Sequence, residues 1–318
     1  MPASINAVRN TVLAIANKNN YGYISPQDFN LYAKQAQMDM FEDYFYQYNQ
    51  YINRENMRQS GTGYADIVKG LEEVIDSFSV EVFLTGGGIN TWTLPTDYYL
   101  INKLYYNSTL LTSATTTAVA VNQLVDGNAN PVFSNGAVTP QYPAIGSIVV
   151  NTTTLKQALV QSVANATTIN LSADIFQAIG DSYSIYDANN ISEVERVTQK
   201  KIFFLTSSTL GAPTKQFPAY VLSGNTVTVY PTSIQNNGDI KAQYIRYPKP
   251  PQWTFLSLTN GEPMFDQTST TYQDFELPLS DEPGLIAKIC QYVGIEIREQ
   301  DVYNFGSTEE VQENQIQV

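Results

Sequence analysis

The spacing of apolar positions divides the chain into helical ends and a β-rich middle. Residues 4–18 carry Ile5, Val8, Val12 and Ile15 at helical intervals, and Asn19, Asn20 and Gly22 stop the stripe. A stronger signal begins at Ser25, a residue suited to cap a helix. Pro26 follows at the first helical position and Asp28 at the positive end of the dipole. No Gly or Pro interrupts residues 27–58, which bear two apolar stripes. Phe29, Ala33, Ala36 and Met40 form one; Phe41, Phe45, Tyr48 and Ile52 form a second, rotated from the first. Two stripes suit either a helix buried on two sides of one bundle or a helix that also meets a second subunit. After a break at 59–63, residues 64–78 predict a third helix through Ile67, Leu71, Val74, Ile75 and Phe78. Near the end, Ser280, Asp281, Glu282 and Pro283 start another helix, whose Leu285, Ile289, Val293 and Ile297 recur every four residues. Gly294 weakens its last turn.

Residues 92–253 read as β, with Thr, Val, Ile and Tyr in short runs between Gly, Asn and Pro. The clearest hairpin pairs residues 219–222 with 226–230 across Ser223, Gly224 and Asn225. Residues 239–247 predict a further strand, ended by Lys249, Pro250 and Pro251 because proline cannot donate to a ladder. Residues 109–175 are rich in Thr, Ala, Val and Asn and nearly free of charge. They predict short strands or a small separate β lobe, with a helix at 154–163 as a local alternative. Gly86, Gly87 and Gly88 mark a hinge between the helical and β parts.

The predicted class is therefore α+β: a helical bundle of three N-terminal helices and one C-terminal helix, with a large inserted antiparallel β part, sandwich- or barrel-like. The expected divisions are 1–84 for the first helices, 85–275 for the β domain, 276–302 for the closing helix and 303–318 for an extended acidic tail.

Composition narrows the chemistry. Of 318 residues 43% are hydrophobic and 12% aromatic, which suits a globular chain. Only 15% are charged, against about 25% in an average soluble domain. A surface poor in charge and rich in tyrosine suits permanent contact with other subunits. The formal charge of −13 repels nucleic acid at long range, although an acidic wall suits a channel that passes DNA without gripping it. The single cysteine, Cys290, permits no intramolecular disulfide. No apolar run is long enough to span a bilayer and no signal peptide is expected at residues 1–12. The sequons at Asn107, Asn151, Asn165 and Asn190 read as chance matches in an Asn- and Thr-rich chain.

The chain has no histidine, which removes Ser-His-Asp and Cys-His nucleophiles and nearly all usual zinc sites. Cys290 falls within an amphipathic helix and reads as a buried structural thiol. No Gly-Lys-Ser/Thr follows the glycines at 86–88, so no phosphate loop is expected. Paired carboxylates of a sugar-cleaving enzyme would draw on Asp97, Asp174, Asp181 and Asp187, yet only Trp92 and Trp253 are available to line a sugar cleft. Asp187, Asn189 and Glu193 are a candidate calcium loop, but without the EF-hand pattern, and an Asx-type turn explains them as well. No catalytic residue, cofactor or metal site is expected, and the chain reads as a non-enzyme. Tyr44, Phe45, Tyr46, Tyr48 and Tyr51 crowd one half of the long helix and cannot all face one core. Neighbouring Asp39, Glu42 and Asp43 favour core or protein contact over stacking with single-stranded nucleic acid.

Three stretches occur in order. They are Tyr23-Ile24-Ser25-Pro26-Gln27-Asp28-Phe29, then Phe217-Pro218-Ala219-Tyr220 through Tyr230-Pro231 to Arg246-Tyr247-Pro248-Lys249-Pro250-Pro251-Gln252-Trp253, and finally Arg298-Glu299-Gln300-Asp301-Val302-Tyr303. Together they resemble virion structural proteins of crAss-like podoviruses and their marine relatives. The resemblance covers the two ends and not residues 109–175. It implies an adaptor-type ring in the head-to-tail connector, twelve copies matching the portal, with the first ring under the portal as first expectation and a lower tail ring as second. Implied partners are further copies of the chain, the portal protein, neighbouring tail and ring proteins, and double-stranded DNA passing without sequence-specific binding. The implied location is the virion, assembled in the host bacterial cytoplasm. Phe41, Phe45, Tyr48 and Tyr51 are the expected subunit contact. A tail depolymerase and a receptor-binding tail protein are the rival readings.

Overall fold

A computed structural model describes residues 2–16, 24–57, 65–107, 109–136, 141–187, 190–257 and 262–296, with 304, 307 and 308 beyond them. The chain forms two compact units, Met1–Phe78 with Tyr247–Val318, and Ser79–Arg246. The fold is α+β. In chain order the α-helices among the described residues are α1 (Ile5–Ala16), α2 (Pro26–Met57), α3 (Ala65–Asp76), α4 (Gln199–Ser207) and α5 (Glu282–Glu296). None is long and apolar enough to cross a membrane.

The first unit holds all the helices but α4. The start of α2 follows the local chemistry: the Asp28 amide donates to Ser25 Oγ at 3.1 Å, and the Ser25 hydroxyl donates to the Asp28 carboxylate. Its first stripe, Phe29, Ala33, Ala36 and Met40, is buried. On α5, Leu285, Ile289 and Val293 are fully buried, while Ile297 lies outside the described residues. Helix α5 packs against α1 and α2, and α3 against α2. Polar contacts fix the α2–α5 pairing. Tyr44 donates to Asp281, Tyr292 donates to Asp39, and Lys288 Nζ lies 3.1 Å from Asp43.

The chain returning at Tyr247 threads between these helices, so the unit takes in residues 247–275, which the sequence reading had assigned to the β domain. Trp253 is the anchor. Its indole N–H donates to Asn6 at 3.1 Å, its amide to Asn30 at 2.8 Å, and the Arg9 guanidinium stacks 3.9 Å from its ring. Gln37 donates to the Lys249 carbonyl at 2.8 Å and accepts from the Glu276 amide at 3.0 Å. Asp274 accepts from the Ile5 amide at 2.8 Å and so caps α1 from the far end of the sequence. None of these pairings is periodic, so hydrophobic patterning could not have placed them.

The second unit contains, in order, β1 (Ser79–Phe83), β2 (Thr85–Gly88), β3 (Thr91–Thr93), β4 (Tyr98–Asn107), β5 (Leu110–Thr115), β6 (Ala118–Ala120), β7 (Gln123–Val125), β8 (Ile148–Asn151), β9 (Lys156–Asn165), β10 (Thr168–Leu171), β11 (Ser182–Tyr186), β12 (Ile191–Arg196), β13 (Ala219–Ser223), β14 (Thr226–Tyr230) and β15 (Ile240–Arg246). One sheet of eight strands has the order β1-β15-β4-β12-β13-β14-β3-β2. Its two edge strands are joined through the single residue Leu84, so the sheet curls to bring its edges together. Its interior holds Trp92, Leu104, Val227, Val229, Ile234 and Ala242, all buried. The hairpin of β13 and β14 stands as predicted, turning at Gly224 with φ +58°.

A second sheet, of seven strands, has the order β5-β11-β8-β9-β10-β7-β6. It is an insertion between β4 and β12, which are antiparallel neighbours: the chain leaves at Asn107 and returns at Ile191, its register partner. The lobe anticipated at 109–175 therefore extends through Tyr186. Phe83 of the first sheet packs with Ile148, Val150 and Tyr186 of the lobe.

Three sequence expectations are corrected. Residues 154–163 hold no helix; they lie largely in β9, where Ala158, Val160 and Val163 are buried and Leu159 is exposed. Irregularities in the β9–β10 pairing shift its register between Thr168 and Ile169 and again between Asn170 and Leu171. The glycines at 86–88 form β2 rather than a hinge. A Cβ on Gly86 would sit 2.7 Å from Asn237 Oδ1, which accepts the Gly86 amide at 2.9 Å, so a larger residue would displace that side chain and its hydrogen bond. The β part is not wholly antiparallel: β12 and β13 run parallel, Glu195 opposite Ala219 and Arg196 opposite Tyr220, with α4 in the crossover.

Candidate functional site

The acids proposed for sugar chemistry bond to separate neighbours rather than to one another. Asp97 accepts from the Tyr244 hydroxyl at 3.0 Å, Asp181 from Asn151 Nδ2 at 3.0 Å, and Asp187 from Asn190 Nδ2 at 3.2 Å. Asp174 is exposed and lines a cleft of about 950 Å³ with Glu81, but Glu81 is ion-paired with Lys241. Trp92 and Trp253 are both buried, in different units, and neither lines that cleft. Of the candidate calcium loop, Asn189 lies outside the described residues, and Glu193 reaches Lys103 at 3.2 Å. No group of three or more His, Cys, Asp or Glu among the described residues could hold a metal ion. Cys290 is fully buried and its thiol is pushed up to about 12 by burial, so it keeps its proton. The sequon residues Asn107 and Asn151 are buried, which suits chance matches.

The aromatic residues of α2 divide. Phe41 is a core residue, meeting Phe45 and Phe78 edge-on with ring centroids 5.1 Å away and Tyr247 at 6.0 Å. Phe45 and Tyr48 are half-buried, and Tyr48 donates to Glu72 at 2.9 Å. Tyr46 is exposed, and the side chain of Tyr51 lies outside the described residues.

A buried titratable cluster sits where the lobe joins the first sheet. Tyr186 donates to Asp239 at 3.1 Å, and the Asn236 amide donates to the same carboxylate at 3.1 Å. Burial raises the Asp239 carboxyl above its ordinary value and, with Asp239 nearby, pushes the Tyr106 phenol up to about 12. Gly238 is φ +87°, and a Cβ there would lie 3.3 Å from Val150 and 3.4 Å from the Tyr186 hydroxyl. The cluster is sealed by Tyr106, Asn107 and Tyr186, all buried, and acts as a joint within the second unit.

Sequence reading missed the most conspicuous surface feature, the crossover at 197–218. Helix α4 packs on the sheet through Ile202 and Leu205, alongside Val197, Ala219 and Val221. That leaves Phe203 and Phe204 at 69% and 66% exposure, their rings 5.9 Å apart. In the loop that follows, Leu210 is 99% and Phe217 75% exposed. Beside them runs a groove of about 580 Å³ whose charged lining is Lys103, Arg196 and Lys201 with Glu193 and Glu195. The available signal was Ile202-Phe203-Phe204-Leu205: four consecutive apolar residues on one short helix cannot all face inward. No family model matches the chain, and no curated protein sequence matches it.

Proposed function

We propose that the chain is a structural ring subunit of the head-to-tail connector of a tailed bacteriophage, joining the portal to the tail around the DNA channel. The observation that carries the reading is a large apolar surface without convergent chemistry. Phe203 and Phe204 stand exposed with rings 5.9 Å apart, and Leu210 and Phe217 stand exposed along one groove; exposed apolar patches mark contact sites. Meanwhile three of the four candidate acids accept hydrogen bonds from separate neighbours. The order of the three resembling stretches supplies the phage setting.

In this reading the helices of the first unit form a bundle that meets neighbouring copies. Phe45, Tyr48 and Tyr51 contribute to that contact, and Phe41 supports them from within. The curled sheet is barrel-like and, with its lobe, contributes to the wall or docks tail components. The ring holds twelve copies, sits first under the portal, and is assembled in the host cytoplasm before it enters the virion. The net charge of −13 keeps DNA mobile in the channel.

Sedimentation velocity on the purified chain and on the F45S/Y48S variant tests the reading. The parent is expected to sediment as a closed oligomer and the variant as a folded monomer. A parent that stays monomeric while releasing reducing sugars from host capsule, or binding host cells, overturns it in favour of a depolymerase or a receptor-binding protein.

A further inference from the structure

We infer that the groove beside α4 receives residues 309–318 of a neighbouring copy; the inference rests on the ring reading for the presence of that copy. Charge complementarity selects this occupant. The groove is lined by Lys103, Arg196 and Lys201 and by Glu193 and Glu195, with Lys103 paired to Glu193; its cationic side is residues 196–215, which carry Arg196, Lys200, Lys201 and Lys215 and no acid, within a chain of 17 Lys and Arg against 30 Asp and Glu. Residues 309–318 carry Glu309, Glu310 and Glu313 and no cation. Among the described residues Arg196, Lys200 and Lys201 make no ion pair within 4.0 Å, so they are open to acids brought by a partner.

Apolar matching points the same way. Leu210 and Phe217 line the groove while exposed, and Phe203 and Phe204 extend the apolar surface beside it. Val311, Ile316 and Val318 are available to cover them. Ten residues in extended form span on the order of 33 Å, against roughly 14 Å for a nine-residue helix such as α4, so one segment crosses both the groove and the helix face. A nucleic-acid backbone would satisfy the cations but leave the four apolar side chains in water, which disfavours it as occupant.

The test is site-specific photocrosslinking in the full chain. Val311 is replaced by p-benzoylphenylalanine, and isotope-labelled and unlabelled copies are mixed so that crosslinks between copies are distinguished by mass. The expected product joins position 311 to residues 196–218 of another copy. Reversal of Lys200 and Lys201 to Glu should weaken self-association about tenfold or more, and E309K/E310K should restore it in the combined variant. Crosslinks that fall elsewhere, within one copy, or nowhere overturn the inference. So does a K200E/K201E variant whose only loss is DNA binding. Closed rings that crosslink elsewhere sink this contact and spare the ring reading. Crosslinks at 196–218 in a species that never closes keep the contact and sink the ring.

Discussion

Asp239 is the residue whose environment is most at odds with its chemistry. Its carboxyl is buried, and desolvation outweighs the donors from Asn236 and Tyr186. A raised value means that the folded state favours the protonated form. The stability linked to this group is thus fully present below 3.8, its ordinary value, and is lost as pH rises through the folded value. Thermal midpoints measured across that range should fall in the parent relative to Asp239→Asn; a parent that gains on the variant as pH rises would contradict the assignment. Tyr186→Phe removes a donor to the same carboxylate and should cost about 1–3 kcal/mol in denaturant unfolding. At high pH the sign is alike for the phenols. Tyr106 and Tyr244 are raised from 10.0 to about 12, chiefly by burial, so their protonated forms support the fold below 10.0 and that support is lost toward 12. Tyrosinate absorbance should rise in two phases, the second coinciding with loss of circular dichroism, and a single phase near 10 would refute this. At this scale the sequence was least legible. That Asp239 and Tyr186 meet depends on a register set across two sheets, and 53 residues separate them.

Helix and strand elements were legible where one face is buried and the period is clean. The start of α2 was readable because Ser25, Pro26 and Asp28 act locally, and α5 because Leu285, Ile289 and Val293 share a face. Ile289→Ala should accordingly cost about 2–5 kcal/mol, since the side chain is fully buried; a loss under 1 kcal/mol would place it outside the core. Helix α4 escaped notice because only Ile202 and Leu205 face the sheet, and the outward Phe203 and Phe204 erase the amphipathic stripe. Strand β9 was ambiguous because its buried positions, Ala158, Val160 and Val163, break strict alternation. The β4–β12 pairing implies that the lobe is a true insertion. Replacing residues 108–190 by a two-residue hairpin turn should leave a protein with a cooperative melt, at a lower temperature because Phe83 loses its cover of Ile148, Val150 and Tyr186. A chain that no longer melts cooperatively would show the lobe to be integral to the sheet.

For the whole molecule, composition speaks more to character than to arrangement. Few charges, many tyrosines and no histidine are what the proposal of a contact-making subunit starts from. The compact units divide at Ser79 and Tyr247, where patterning suggested 85 and 276; the second difference follows from Trp253, Asp274 and Glu276, which bind the helices through hydrogen bonds that leave no trace in hydrophobic patterning. The exposed apolar surface around α4 then gives the connector proposal its physical footing. Its most direct test is native mass spectrometry, with negative-stain imaging, of the full chain co-expressed with a portal protein from a crAss-like phage. A closed ring of about twelve copies, bound coaxially to the portal, is the expected result; a stable monomer or trimer that never joins the portal would contradict it.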